Sequence, residues 1–87
     1  MELSNEIMFR YRERRKKDLD ECKAFLEHEK FNDIEKVGHQ LKGNGATFGY
    51  PELSLLGKNL EVAARSHNHE ALQKILKALS EWVVDLH

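Results

Sequence analysis

The sequence predicts an all-α fold, an antiparallel up-down four-helix bundle with a long first helix, and three observations predict it. Apolar residues recur at helical spacing in four separate stretches, and no stretch alternates as a strand would. The links between them are short, Lys30-Phe31, Tyr50 and Ser66-His67-Asn68, and links of that length force neighbouring helices antiparallel. Finally, 87 residues that are 40% hydrophobic and 33% charged, with one proline, suit a helical bundle with one modest core. A single domain spanning residues 1–87 is expected.

The first helix should run from about Ser4 to Glu29, with Ser4 or Asn5 as N-cap. Its apolar face includes Ile7, Tyr11, Cys22, Phe25 and Leu26, but charge fills the middle, so a kink or break is expected near residues 16–18. The second should begin at Asn32, where Glu35 completes a pattern like a capping box, and end at Gly49. The third starts at Pro51, a favoured first-turn residue, and runs to about Ser66 with Leu53, Leu56, Leu60, Ala63 and Ala64 on one side. The fourth runs from about Asn68 to Leu86, its apolar stripe including Leu72, Leu76, Leu79 and Trp82. Trp82 is expected in the core or at its rim.

The second helix contains an oddity. Four of the five glycines fall between positions 38 and 49, around one histidine. A helix-interior glycine costs about 1 kcal/mol relative to alanine, so something other than helix stability sets the residues there. At about 100° per residue, Ile34, Val37, Leu41 and Phe48 form one stripe, with Asn44 and Gly45 at its edges. His39 points roughly 170° away from the centre of that stripe, towards water. Lys42 at i+3 and Gly43 at i+4 share its surface, and Ala46 lies two turns along. The expectation is an exposed imidazole with a lysine beside it and little bulk around it.

A neutral imidazole has a free nitrogen lone pair and can attack phosphorus. Phosphoryl transfer then needs in-line access and a cation for the equatorial oxygens. Lys42 can supply that cation, worth about 1 kcal/mol while exposed, and Gly43 and Ala46 leave room for the phosphoryl group.

His39-Gln40-Leu41-Lys42-Gly43, the small residues after it and Gly49-Tyr50 closely resemble the histidine-containing phosphotransfer (HPt) family. The resemblance continues through Pro51-Glu52-Leu53, Leu56-Gly57 and Leu60-Glu61-Val62-Ala63-Ala64, and loosely through Arg15 and Asp18-Leu19, so it covers most of the chain. It implies that His39 is phosphorylated, that Lys42 assists electrostatically and that Gly43 keeps the position open. Gln40, Ala46 and Arg65 are auxiliary candidates, Arg65 as a further positive charge. Several family members carry a glutamine near the phosphoryl group where this chain has Glu61. A carboxylate there would repel a phosphohistidine, so Glu61 is expected to turn aside or to do another job.

The resemblance further implies a phosphorelay carrier rather than a self-sufficient enzyme. Its partners would be response-regulator receiver domains or a (hybrid) histidine kinase, docking around exposed Lys36, Gln40, Ala46 and Lys58. Mg²⁺ would sit in the receiver, and the chain would need no cofactor or metal of its own. Two rivals stand beside this: the phospho-accepting domain of a chemotaxis-type kinase, suggested by the run 45–49, and a helical bundle that binds partners without chemistry.

Other features bear on class. Net charge is −1 with a pI near 6.5, which argues against a general affinity for nucleic acid. The basic run 10–17 is followed by Asp18, Asp20 and Glu21, giving i,i+4 pairs Arg14–Asp18, Lys16–Asp20 and Lys17–Glu21 on a solvated helix face, or else a docking surface for an acidic partner. Cys22 alone forms no internal disulfide and reads as core. His67-Asn68-His69 lacks a third ligand at metal spacing, and His28 and His87 read as exposed helix-end residues. No Gly-rich phosphate loop is present, so ATP binding is not expected. The opening Met1-Glu2-Leu3-Ser4-Asn5-Glu6 is charged from the start, and no apolar run approaches the ~20 residues of a membrane span. A cytoplasmic monomer is expected.

Overall fold

The computed structural model describes residues 4–85. Leu86, His87 and residues 1–3, on which some of the expectations above fall, lie outside the described residues. Four helices are present: α1 Asn5–Glu27, α2 Phe31–Asn44, α3 Pro51–Arg65 and α4 His69–Val84. They form a ring in which α1 packs on α2 and α4, and α3 packs on α2 and α4. The core is filled by Leu19, Cys22 and Leu26 of α1, Ile34, Val37 and Leu41 of α2, Leu53, Leu60 and Ala64 of α3, and Leu72, Leu76 and Leu79 of α4. Burial pushes the Cys22 thiol up to about 12, which leaves it inert. No helix among the described residues is long and apolar enough to cross a membrane.

α1 begins as expected, with the Ser4 hydroxyl accepting from Ile7 N at 3.2 Å. It does not break in its charged middle. Arg15 and Asp18 turn inward instead, both almost fully buried, with Arg15 Nε 2.8 Å from Asp18 Oδ2. The contact is ionic: its alignment does not qualify as a hydrogen bond. Arg15 Nη1 and the Tyr11 hydroxyl both donate to Asn44 Oδ1, at 3.0 and 2.7 Å, and tie α1 to the end of α2. The reading of the basic run as wholly solvated is therefore corrected. Arg14–Asp18 forms at 3.1 Å, whereas Lys16 pairs with Glu13 rather than Asp20. Ile7, placed on the apolar face, is 46% exposed.

Three chain reversals share one device. After α1, Lys30 N bonds to Phe25 O and Glu29 N to Leu26 O; after α3, Asn68 N bonds to Ala63 O and His67 N to Ala64 O. These are paired 6→1 and 5→2 bonds around one left-handed residue. Between α2 and α3 the same pair closes from Tyr50 N to Gly45 O and from Gly49 N to Ala46 O. The left-handed residue is Gly49 (φ 89°) in that turn, but Glu29 (55°) and His67 (52°) in the others. His67 stacks on Phe31 with ring centroids 4.4 Å apart.

α2 differs from expectation at both ends. The reversal after α1 delivers the chain at Lys30, so α2 starts at Phe31 with no side-chain cap, and the predicted capping box at Asn32 does not form. Regular helix stops at Asn44, five residues before Gly49, because Ala46 N donates to the Ser54 hydroxyl at 2.8 Å. Residues 45–49 continue as a turn. Phe48 stacks on Tyr11 at 4.0 Å, and Tyr50 meets Trp82 edge-on at 5.1 Å. Trp82 is a rim residue whose indole N–H donates to Glu52 at 3.1 Å.

Candidate functional site

The closeness of α2 to α3 builds the position around His39. A methyl group added at Gly38 would lie 2.6 Å from Glu61 N and 2.8 Å from Gly57 O; one at Gly57 would lie 2.5 Å from Lys42 N; one at Gly45 would lie 2.6 Å from Ser54 N. Ordinary carbon contacts are 3.4 Å or more. Later positions on α2 meet earlier positions on α3, so the pair is antiparallel, and its backbones touch along a seam only glycine permits. The expectation that these glycines clear space around the histidine holds for Gly43, whose added methyl would meet nothing within 4 Å; Gly49 is as open but serves the left-handed turn after α2.

The seam carries Glu61 to His39. The imidazole is on the outer face with 70% of its side chain exposed, while the Glu61 side chain is 9% exposed. His39 Nδ1 lies 2.8 Å from Glu61 Oε2, and Lys42 Nζ donates to Glu61 Oε1 at 3.0 Å. The Lys42 ammonium, then the His39 imidazole, hold the Glu61 carboxyl below the usual carboxylate range, against the opposing effect of burial. An ionised carboxylate only accepts, so the shared proton belongs to Nδ1 of the ring. The neutral imidazole is thereby fixed with its lone pair on Nε2.

Glu61 therefore does not turn aside; it binds both residues named for the chemistry. Arg65 donates from Nε to Glu35 Oε2 at 3.1 Å, and its Nη2 lies 4.0 Å from Glu61 Oε2. Lys36, Gln40, Lys42 and Arg65 join His39 and Glu61 in lining one open depression. Lys58 and Ala46 are exposed outside it, on α3 and in the turn after α2. Sequence reasoning placed His39, Lys42 and Gly43 correctly on the open surface but missed what Glu61 and Glu35 do. The available signal was Gly57, four residues before Glu61 and antiparallel to Gly38.

A charged pair, a fixed tautomer and an unobstructed nitrogen suit a nucleophile for a bulky anionic electrophile. No group of three or more histidine, cysteine or carboxylate residues that could hold a metal gathers among the described residues. A family model described as the Hpt domain matches residues 6–87. No curated protein and no solved structure matches the chain.

Proposed function

Because the chain belongs to the Hpt domain family, whose members serve histidine phosphotransfer in phosphorelays, we propose that His39 accepts a phosphoryl group from a receiver-domain aspartyl phosphate and passes it to a second receiver. The observation that carries this reading is the exposed imidazole whose Nδ1–H is held by Glu61. The Nε2 lone pair attacks phosphorus, the bond from phosphorus to the aspartyl oxygen breaks, and the carboxylate leaves. Nδ1 keeps its proton throughout, so the ring becomes a phosphoimidazolium whose positive charge faces the Glu61 carboxylate. Lys42, 3.0 Å from the same carboxylate, lies one helical turn from His39 and supplies a cation for the phosphoryl oxygens. Gly43 gives the partner's backbone its approach. Mg²⁺ belongs to the receiver in this scheme, and the chain acts as a cytoplasmic monomer.

Incubation with a phosphorylated receiver tests the reading. Wild type gains an acid-labile, base-stable label and His39→Gln gains none. Equal labelling of the variant would move the acceptor elsewhere. A parallel arm with a kinase and ATP separates a relay carrier from the phospho-accepting domain of a kinase.

A further inference from the structure

We propose that the groove between α1 and α4 docks an acidic amphipathic helix of a partner protein. The groove is lined by Lys23, Leu26 and Glu27 of α1 and by Leu76 and Lys77 of α4, among others. In the ring of helices the α1–α4 edge lies opposite the α2–α3 edge that holds His39. Occupation of the groove is thus sterically independent of His39, and the proposal does not depend on what His39 does.

Charge selects the occupant. Lys23 and Lys77 make no salt bridge among the described residues, whereas Lys16 and Lys74 on the same two helices are paired with Glu13 and Glu70. Glu27 is the one carboxylate lining the groove. Arg12, the Glu13-paired Lys16 and Lys23 recur at spacings of four and seven along one edge of α1, which Asp20 and Glu27 flank. This continues the basic run that the α2–α3 chemistry does not use, in a chain whose net charge is −1. The floor is formed by Leu26 and Leu76, 7% and 4% exposed, and the aliphatic stems of the lysines in its lining add to its apolar surface. One turn beyond Ser80 on the same edge of α4, Val84 is 71% exposed and extends the apolar strip.

A helix with an apolar stripe flanked by glutamate or aspartate fills both requirements. A second copy of the chain does not. A two-fold interface sets the same patch against itself, and so places two lysines and one glutamate against two lysines and one glutamate. Polyanions such as nucleic acid suit the lysines but leave the apolar strip uncovered and meet Glu27.

The probe is a synthetic peptide about four turns long, with leucine at helical i, i+3, i+4 and i+7 spacing and glutamate on both flanks. It is titrated into the isotopically labelled full chain and followed by amide chemical shifts. Shifts should concentrate at Lys23, Leu26, Gln73, Leu76 and Lys77 and spare His39 and Gly43. The double variant Lys23→Glu/Lys77→Glu, altered at two exposed positions and checked for helicity, should weaken binding about tenfold or more. Raising the salt concentration should weaken the wild-type complex. Lysine-flanked peptide of the same apolar pattern should not bind. Shifts centred on α2 and α3, undiminished binding by the double variant, preference for duplex DNA or anionic vesicles over the peptide, or a peptide-free dimer through this face would each overturn the proposal.

Discussion

Gly38→Ala and Gly43→Ala add the same methyl group to the same helix, and the seam between α2 and α3 requires them to move stability in opposite directions. At Gly43 nothing lies within 4 Å of the new methyl, so only helix propensity changes. Alanine in place of a helical glycine gains about 0.5–1 kcal/mol, and the lower half applies beside the helix end at Asn44. For a chain of this size that raises Tm by about 2–6 °C. At Gly38 the methyl would sit 2.6 Å from Glu61 N and 2.8 Å from Gly57 O, backbone atoms that no rotamer change can remove. The helices must part by about 1 Å. Overpacking of this kind costs roughly 1–3 kcal/mol, which outweighs the propensity gain and leaves a net loss of about 1–2 kcal/mol. Tm should fall by roughly 5–15 °C. The same parting would stretch the 2.8 Å contact from His39 to Glu61 beyond hydrogen-bond range. Thermal unfolding by circular dichroism measures the first effect, and the ¹⁵N shifts of the His39 ring measure the second. If both variants raise Tm, or if Gly38→Ala leaves the ring tautomer unchanged, the backbones do not touch where we place them.

Other outcomes follow from the same geometry. Glu61→Ala should release Nδ1 and mix the His39 tautomers; partners that orient metal-bound imidazoles are worth roughly ten- to a hundredfold in activity, and a similar loss of transfer rate is expected. Because the folded Glu61 carboxyl titrates below its ordinary range, its stabilising contribution is complete above that range and disappears as pH falls through the lowered value. The Tm difference between wild type and Glu61→Gln should therefore shrink in acid, and a constant difference would refute the pairing. Arg15→Leu strips Asp18 of its buried partner, although Arg14 remains at 3.1 Å, so the loss should lie at the lower end of the roughly 3–5 kcal/mol typical of broken buried pairs. Denaturant titration checks it, and adding Asp18→Leu should recover part of the loss. Glu29→Gly relieves a left-handed conformation that costs an L-residue about 1–2 kcal/mol. After the entropy of glycine, a gain of up to about 1 kcal/mol should appear as a higher Tm. Gly43→Leu should block phosphoryl transfer while leaving the helical signal intact.

Much of this architecture was legible because one rule covers it. Helical periodicity placed Leu41, Leu53, Leu60, Leu72 and Leu79 in the core and His39 outside it, since each helix has one buried stripe and the links are too short for another topology. The rule fails where a side chain chooses a partner on another helix. Arg15 and Asp18 break the pattern of α1 because together they can enter the interior, which neither could do alone. Asn44 gives no sign in the sequence that Tyr11 and Arg15 will both bond to it. Glu61 looked electrostatically wrong for a phosphohistidine when considered as an isolated charge. Its meaning emerges only once Gly38 and Gly57 set how near α3 approaches, and that distance is a tertiary quantity. The end of α2 was misplaced for a similar reason: a hydroxyl on α3, Ser54, captures an amide of the neighbouring segment.

The glycine seam also limits how this chemistry can be transplanted. Copying the imidazole, the ammonium and the carboxylate onto some other helical hairpin would reproduce the residues but not their meeting. Alanine-lined partners would stand too far apart for the acid to reach the ring. An engineer must carry over three missing methyl groups along with three functional groups, and those absences would constrain the choice of scaffold most.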